Sequence, residues 1–420
     1  MKHEISIPGH DLKIFTTNIE QSAINQIQRL LDIDVFADKK IRIMPDVHAG
    51  AGCVIGFTGD LGDKVIPNIV GVDIGCGMSV VRLGKIDNID FHAFNNHILT
   101  HVPSGHWIRE EKKGFKQLTG EEMEIYREAK ELVGQLHCYR NLLHTQRIHK
   151  SIGSLGGGNH FIELNRDDEG WVYLVIHTGS RNLGKQVADH YQKLAIQHLT
   201  PGADSFEQEI TDLIERYKAE GRRSEIQATI KQMRKARAEA LPSLAADLCY
   251  LEGEGREMYL HDMRLCQRWA VLNRRLIAML LLKFFNNVEP MEEFESVHNY
   301  ISDSNLVRKG AISAAEGERC IIPLNMRDGS LICTGLGNPD WNCSAPHGAG
   351  RVLSRAEAFH SISMKEFEDS MLGIYSESVS ERTLDESPMA YKPADEIIAN
   401  IGPTVSINTI IRPIFNFKAS

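Results

Sequence analysis

Across 420 residues, hydrophobic side chains make up 42% and charged ones 25%, the mix of an ordinary folded chain long enough to bury a sizeable core. The longest apolar run, residues 276–282, is too short for a bilayer span and is bracketed by Arg274, Arg275 and Lys283, so no membrane crossing is expected. A net charge of −9 argues against a protein that merely coats nucleic acid, while leaving room for a local basic groove.

The opening residues 1–4 carry an acidic side chain and no apolar core, so no signal peptide is expected and the cytoplasm is the expected compartment. The eight cysteines are scattered without a CxxC pair, which predicts reduced and mostly buried thiols.

In chain order, the first hundred residues read as strands and tight turns. Apolar β-prone runs at 41–44 and 77–83 flank a dense series of glycines between positions 50 and 77, where the backbone turns sharply or approaches a ligand closely. Residues 121–136 predict a helix with a charged face. A second glycine block, Gly153 to Gly158, leads through Asn159 and His160 into a strand over 161–164. A further strand over 171–176 runs into His177-Thr178-Gly179-Ser180-Arg181.

From about 185 to 285 the pattern is helical. Residues 201–240 hold eight acidic and eight basic side chains, but residues 222–237 hold six basic ones against Glu225 alone before Pro242 breaks the run. This predicts a helical hairpin spanning 201–245, projecting from one composite domain of 420 residues. Its basic stretch is as compatible with contacts to an RNA backbone as with a solvated helix face. The remainder returns to short strands and loops.

Two groups of residues carry chemistry. In Val72-Asp73-Ile74-Gly75-Cys76-Gly77, a carboxylate and a thiol share a glycine-bounded turn. A thiolate can bridge two divalent metals, and a carboxylate suits manganese or magnesium. Alone, a turn with a buried cysteine is the commoner outcome. His160 and His177, each at a strand end beside glycines, and His298 in Ser296-Val297-His298-Asn299-Tyr300 would complete a mixed site; spacing alone does not bring them together. The second group is His347-Gly348-Ala349-Gly350-Arg351. Glycine amides and a guanidinium suit a phosphate, and an imidazole beside a triphosphate can attack its α-phosphorus.

Taken together, Met44-Pro45-Asp46-Val47-His48, Val70 to Met78, Gly158 to Glu163, His177 to Arg181, Arg308-Lys309-Gly310-Ala311, His347 to Arg351 and Pro388-Met389-Ala390-Tyr391-Lys392 resemble, in order, the motif set of the RtcB family of RNA ligases. The resemblance implies a complex α+β fold of mixed sheets with surrounding helices. It implies a two-manganese site of Asp73, Cys76, His160, His177 and His298, with the cysteine bridging, and GTP as cofactor. It makes His347 the guanylylated nucleophile and Asn159 a residue that holds the guanylate. Arg308, Lys309, Ala311 and Ser313 fall in the segment resembling the nucleotide pocket, Gly348, Ala349, Gly350 and Arg351 flank the nucleophile, and Lys418 resembles a lysine that reads guanine.

The implied activity joins RNA ends bearing a 2′,3′-cyclic phosphate or 3′-phosphate to 5′-hydroxyl ends, as in tRNA splicing and RNA repair; an accessory activator protein is compatible with it. Three features differ: Ala51 replaces a lysine common in relatives, Pro346 a serine, and the helical segment is longer than in compact bacterial members. Two alternatives stay open, a metal-dependent RNA-end phosphoesterase and a non-catalytic RNA-binding paralogue.

Overall fold

The computed structural model describes residues 5–7, 9–109, 115, 118–200, 203–240, 245–286 and 288–419. The opening residues 1–4 and Pro242 lie outside them. The fold is α+β, with mixed sheets and helices packed against them.

A seven-stranded antiparallel sheet runs in the order Arg319–Asn325, Gly329–Gly335, Val405–Lys418, Phe161–Arg166, Trp171–Thr178, Gly77–Lys85 and Glu292–Val297. Its central strands are apolar on both faces because both are covered. Along Trp171–Thr178, Val172, Leu174 and Ile176 enter one core cluster, while Tyr173 and Val175 enter another. That split follows from the period of two along a strand.

A six-stranded sheet orders Ile5–Ser6, Leu12–Ile14, Ile41–His48, Ile55–Asp60, Leu306–Lys309 and Asn299–Ile301, with one parallel pair, Leu12–Ile14 on Ile41–His48. A short pair, Ala311–Ser313 on Ser344–Pro346, carries the chain towards His347.

The expected strands are present but longer: Ile41–His48, Gly77–Lys85, Phe161–Arg166 and Trp171–Thr178. His177 and Thr178 therefore belong to their strand rather than following it. The first hundred residues also contain helices Gln21–Leu31 and Phe91–His101, which an all-strand expectation overlooks. In the first of these, Ala23, Ile27 and Leu30 are buried, a four- and three-residue spacing that makes one apolar stripe.

The charged region holds Ala203–Ala219 and Ile226–Ala240, joined by a tight turn around Gly221. The apolar run at 276–282 is the end of a 30-residue helix, Gly253–Leu282, buried along much of its length. Among the described residues, no helix is long and apolar enough to cross a membrane. Seven of the eight free cysteines are buried, and Cys343 is half-buried.

Candidate metal and nucleotide site

Antiparallel pairing alternates strand starts and strand ends along one edge of a sheet. Phe161–Arg166 and Gly77–Lys85 begin at the edge where Trp171–Thr178 and Glu292–Val297 end. His160 and Cys76 stand immediately before the first two, His177 closes the third and His298 follows the fourth. Four side chains distant in sequence thus converge because of the register. Asp73 joins them from the turn before Cys76. Gly179 makes room for it, since a Cβ there would lie 2.2 Å from Asp73 Oδ1.

The ligand atoms form two triads with one member in common. Cys76, His177 and His298 lie within 4.8 Å of one another, as do Asp73, Cys76 and His160. Cys76 Sγ is 3.3 Å from His177 Nε2 and 3.5 Å from His160 Nε2. The outer nitrogens are fixed: Nδ1–H of His160 donates to Leu155 O at 3.0 Å, and Nδ1–H of His177 to Asn159 O at 3.1 Å. Both Nε2 lone pairs therefore face the cluster. His160 Nε2 meets Asp73 Oδ2 at 3.0 Å, and two acceptors that close need a proton or a cation between them. Asp73 Oδ1 and His298 Nδ1 are buried without a hydrogen-bond partner among the described residues.

Burial, then the neighbouring His160, lowers His177 well below its ordinary range, and burial with nearby His347 does the same to His298. Burial and then Asp73 push the Cys76 thiol up. Burial works to raise the Asp73 carboxyl, but the hydrogen bond and charge of His160, with Arg181, hold it low. Neutral imidazoles at His177 and His298, one carboxylate and a thiol that a cation would deprotonate form a donor set that suits divalent cations.

Helix Gly253–Leu282 braces these loops. Arg274, fully buried, donates to Gly75 O and Thr178 O at 2.9 Å each and pairs with Glu295 at 2.9 Å. Asn273 Oδ1 accepts from Gly153 N at 2.7 Å.

His347 lies beside the cluster, its ring centroid 4.8 Å from that of His298. Its Nδ1–H donates to Asp46 Oδ2 at 2.6 Å, and its backbone N–H reaches the same oxygen at 3.2 Å. Asp46 is fully buried. The imidazole is thereby held with Nε2 free. Gly350 lets the His347 loop close onto Asp46, since a Cβ there would sit 2.1 Å from Asp46 O.

A cavity of about 650 Å³ opens in front of His347. Asn159, Gly348, Ala349, Gly350, Arg351 and Lys418 line it, together with His177. Lys418 Nζ pairs with Glu386 at 2.9 Å. Burial alone would raise Glu386, but Lys418, Arg355 and Tyr391 hold it down to about 2. Burial lifts Glu163, also in the wall, to about 7.

The segment from Arg308 to Ser313 does not line this cavity. Arg308 donates to Ser344 Oγ and Tyr300 OH at 2.9 Å. Lys309 Nζ donates to Ala51 O and Asn68 O, and burial lowers its pKa. Ala311 pairs with Pro346, next to His347, and Ser313 Oγ donates to Glu318. These residues support the His298 and His347 loops from behind.

Residues that sequence reasoning left without a role include Asp46, His48, Glu163, Arg274 and Glu386. Asp46, His48 and Glu163 lie inside the motifs quoted above, Arg274 reads only as a flank of the apolar run, and Glu386 lies just before the motif that begins at Pro388.

The family model described as tRNA-splicing ligase RtcB matches residues 26–419. An RNA-splicing ligase RtcB1 of Escherichia coli strain ATCC 25922 is 31% identical, the alignment covering 91% of each chain. The RNA-splicing ligase RtcB of Escherichia coli K12 is 30% identical with the same coverage. A tRNA-splicing ligase RtcB of Thermococcus kodakarensis is 25% identical over 88% of this chain and 85% of its own. The chain belongs to the RtcB family.

Proposed function

We propose that this protein is a GTP- and manganese-dependent RNA ligase that works in the cytoplasm through a guanylylated His347. The observation that carries the reading is an imidazole pinned at Nδ1 by a buried carboxylate, with Nε2 free beside a double metal triad and above a nucleotide-sized cavity. A phosphoesterase would need the metals but not this arrangement. We also propose that the 420 residues form one catalytic domain in which 201–245 is an insertion.

Asp73, Cys76, His160, His177 and His298 would hold two manganese ions, which when bound neutralise phosphate charge and polarise phosphorus–oxygen bonds. His347 Nε2 attacks the α-phosphorus of GTP; a P–N bond forms, the bond to the bridging oxygen breaks, and pyrophosphate leaves. Asp46 keeps the lone pair on Nε2 before attack and balances the ring's positive charge afterwards. Asn159 and Lys418 hold the guanylate, and the Gly348–Gly350 amides with Arg351 face its phosphates.

An RNA end carrying a 2′,3′-cyclic phosphate is first hydrolysed by water to a 3′-phosphate. That phosphate displaces His347 from the guanylate, giving a 3′-diphosphoguanosine end. A 5′-hydroxyl then attacks the RNA phosphorus, the 3′,5′ bond forms and GMP leaves.

Incubation with α-labelled GTP and manganese should give a protein adduct that is labile in acid and stable in alkali. His347→Ala should lose the adduct and the joining of 3′-phosphate ends, yet still join an RNA already capped with guanylate. An adduct that persists in His347→Ala, or maps to a lysine, overturns the mechanism.

A further inference from the structure

The loop at residues 103–109 lies outside the metal cluster and the cavity, yet it is tied directly to the backbone that positions them. Leu155 N donates to Pro103 O and Gly105 N to Gly156 O, each at 2.9 Å. Leu155 O is also the acceptor that fixes His160. Arg181, whose charge acts on Asp73, donates from Nη2 to Gly105 O at 3.0 Å. Arg147 donates to His106 O at 2.6 Å, and Trp107 N closes a turn onto Ser104 O at 3.1 Å. The loop is held on both flanks.

What this anchored loop presents is Trp107, 78% exposed. The side chain stands in water on backbone bonded to two arginines, and it makes no ring contact among the described residues. Gly157 and Gly158 connect the loop and the cavity without side chains: a Cβ at Gly157 would lie 3.7 Å from Gly105 Cα in the loop, and one at Gly158 3.7 Å from Arg355 Nη2 on the cavity wall. Asn159, the next residue, is exposed and already lines the cavity.

An exposed aromatic ring next to bare glycine backbone, with the exposed Arg147 guanidinium 2.6 Å from the carbonyl of the preceding residue, is a combination that suits single-stranded nucleic acid: stacking for a base and positive charge for the backbone. We infer that Trp107 is the stacking platform for an unpaired base of the RNA end, fixing the strand as it crosses Gly157–Gly158 into the cavity. The inference rests on the RNA-ligase reading and adds to it where the strand runs. Trp107 acts as a positioning residue, not a catalytic one.

Stacking on one aromatic side chain is worth roughly tenfold or more in affinity. Wild type, Trp107→Ala, Trp107→Leu and Trp107→Phe, each loaded with manganese, are titrated with short fluorescent single-stranded RNAs. One probe carries a 3′-phosphate, the other a 5′-hydroxyl with a blocked 3′ end. Trp107→Ala and Trp107→Leu should bind at least one probe roughly tenfold more weakly, while Trp107→Phe stays within about threefold of wild type. The affected probe identifies the strand.

In the wild type, RNA should quench tryptophan emission, because Trp269 and Trp341 are buried and Trp171 is covered by Arg82. Affinity for both probes unchanged in Trp107→Ala, or restored by Trp107→Leu, overturns the inference. Binding needs no guanylate transfer, so the two readings fail separately. A wild type that forms no adduct with GTP but shows the Trp107-dependent binding would remove the ligase mechanism and leave the platform. A normal adduct with unchanged RNA affinity in Trp107→Ala would do the reverse.

Discussion

The candidate metal cluster and the cavity beside it share a border at His177 and His347, yet they are assembled differently. The cluster is a product of backbone register: four adjacent antiparallel strands bring Cys76, His160, His177 and His298 to one edge. The cavity is a product of side chains meeting from far apart, as with Asp46 and His347, 301 positions distant, or Glu386 and Lys418. A site built on strand ends tolerates changes nearby so long as the sheet pairs. A site built on side-chain pairs loses its geometry when one partner goes.

The sharpest way to break this comparison is at the atom that both triads share. Cys76→Ala should release both metals and abolish ligation while thermal unfolding stays near that of the wild type, because the strand pairing beside it is untouched. Near-normal manganese content in that variant would show that the sulfur is not the shared ligand.

Next in size is Asp46→Asn. An amide of the same shape can present its NH₂ to Nδ1 and turn the imidazole to the wrong tautomer. Adduct formation should slow by roughly a hundredfold or more, with both metals retained. A variant that guanylylates at the wild-type rate would show that His347 is oriented by something other than Asp46.

The two regions also differ in how far the sequence revealed them. The main strands are legible from their apolar runs, while the α+β class and the grouping of Asp73, Cys76, His160, His177 and His298 came only through the family resemblance, because spacing does not show which strand ends share an edge. The helix Gln21–Leu31 lies in a stretch read as strands and turns, where the apolar Ala23, Ile27 and Leu30, set among polar residues, are the only sign of its buried stripe. Asp46 stood in view within its motif without a role, because the bond that gives it one spans most of the chain. Arg274 looked like a flank of an apolar run. Its burial and its hold on Gly75 and Thr178 depend on where a 30-residue helix lies, which local pattern does not encode. Arg308 and Lys309 are the converse: their motif was recognised, but they point into the scaffold rather than the cavity.

The cavity's dependence on charge pairs gives a pH test of intermediate size. Glu386 is buried, and Lys418, Arg355 and Tyr391 outweigh burial to hold it down to about 2 against an ordinary 4.5. Its contribution to stability is therefore complete above about 4.5 and is lost as pH falls from there towards 2. At neutral pH, Glu386→Gln should be destabilised by roughly 3 kcal/mol, since it leaves the buried Lys418 ammonium without its carboxylate. The gap from wild type should close as pH falls through that window. Chemical denaturation at neutral pH and again near pH 3 measures both; a gap that stays constant would mean that the charge on Glu386 is not what stabilises the wall.

The smallest effect is expected in the helices Ala203–Ala219 and Ile226–Ala240 and the turn between them, whose described residues neither join the cluster nor line the cavity. Their arginines look free in the sequence, but the structure engages them within the pair. Arg222 bonds Glu220 and Glu225 and lies over Tyr217, Arg234 reaches Glu207, and Arg237 lies over Phe206. Exposed pairs of this kind are weak, so an RNA backbone could displace them, though at the cost of contacts already made. Replacing Arg222, Arg223, Arg234 and Arg237 by Gln should therefore weaken RNA binding by no more than about threefold and reduce the salt dependence by less than one phosphate contact's worth. A larger loss with a flatter salt slope would make this helical pair part of the RNA path, and the contrast drawn here between a strand-built centre and a side-chain-built pocket would need a third, electrostatic region beside it.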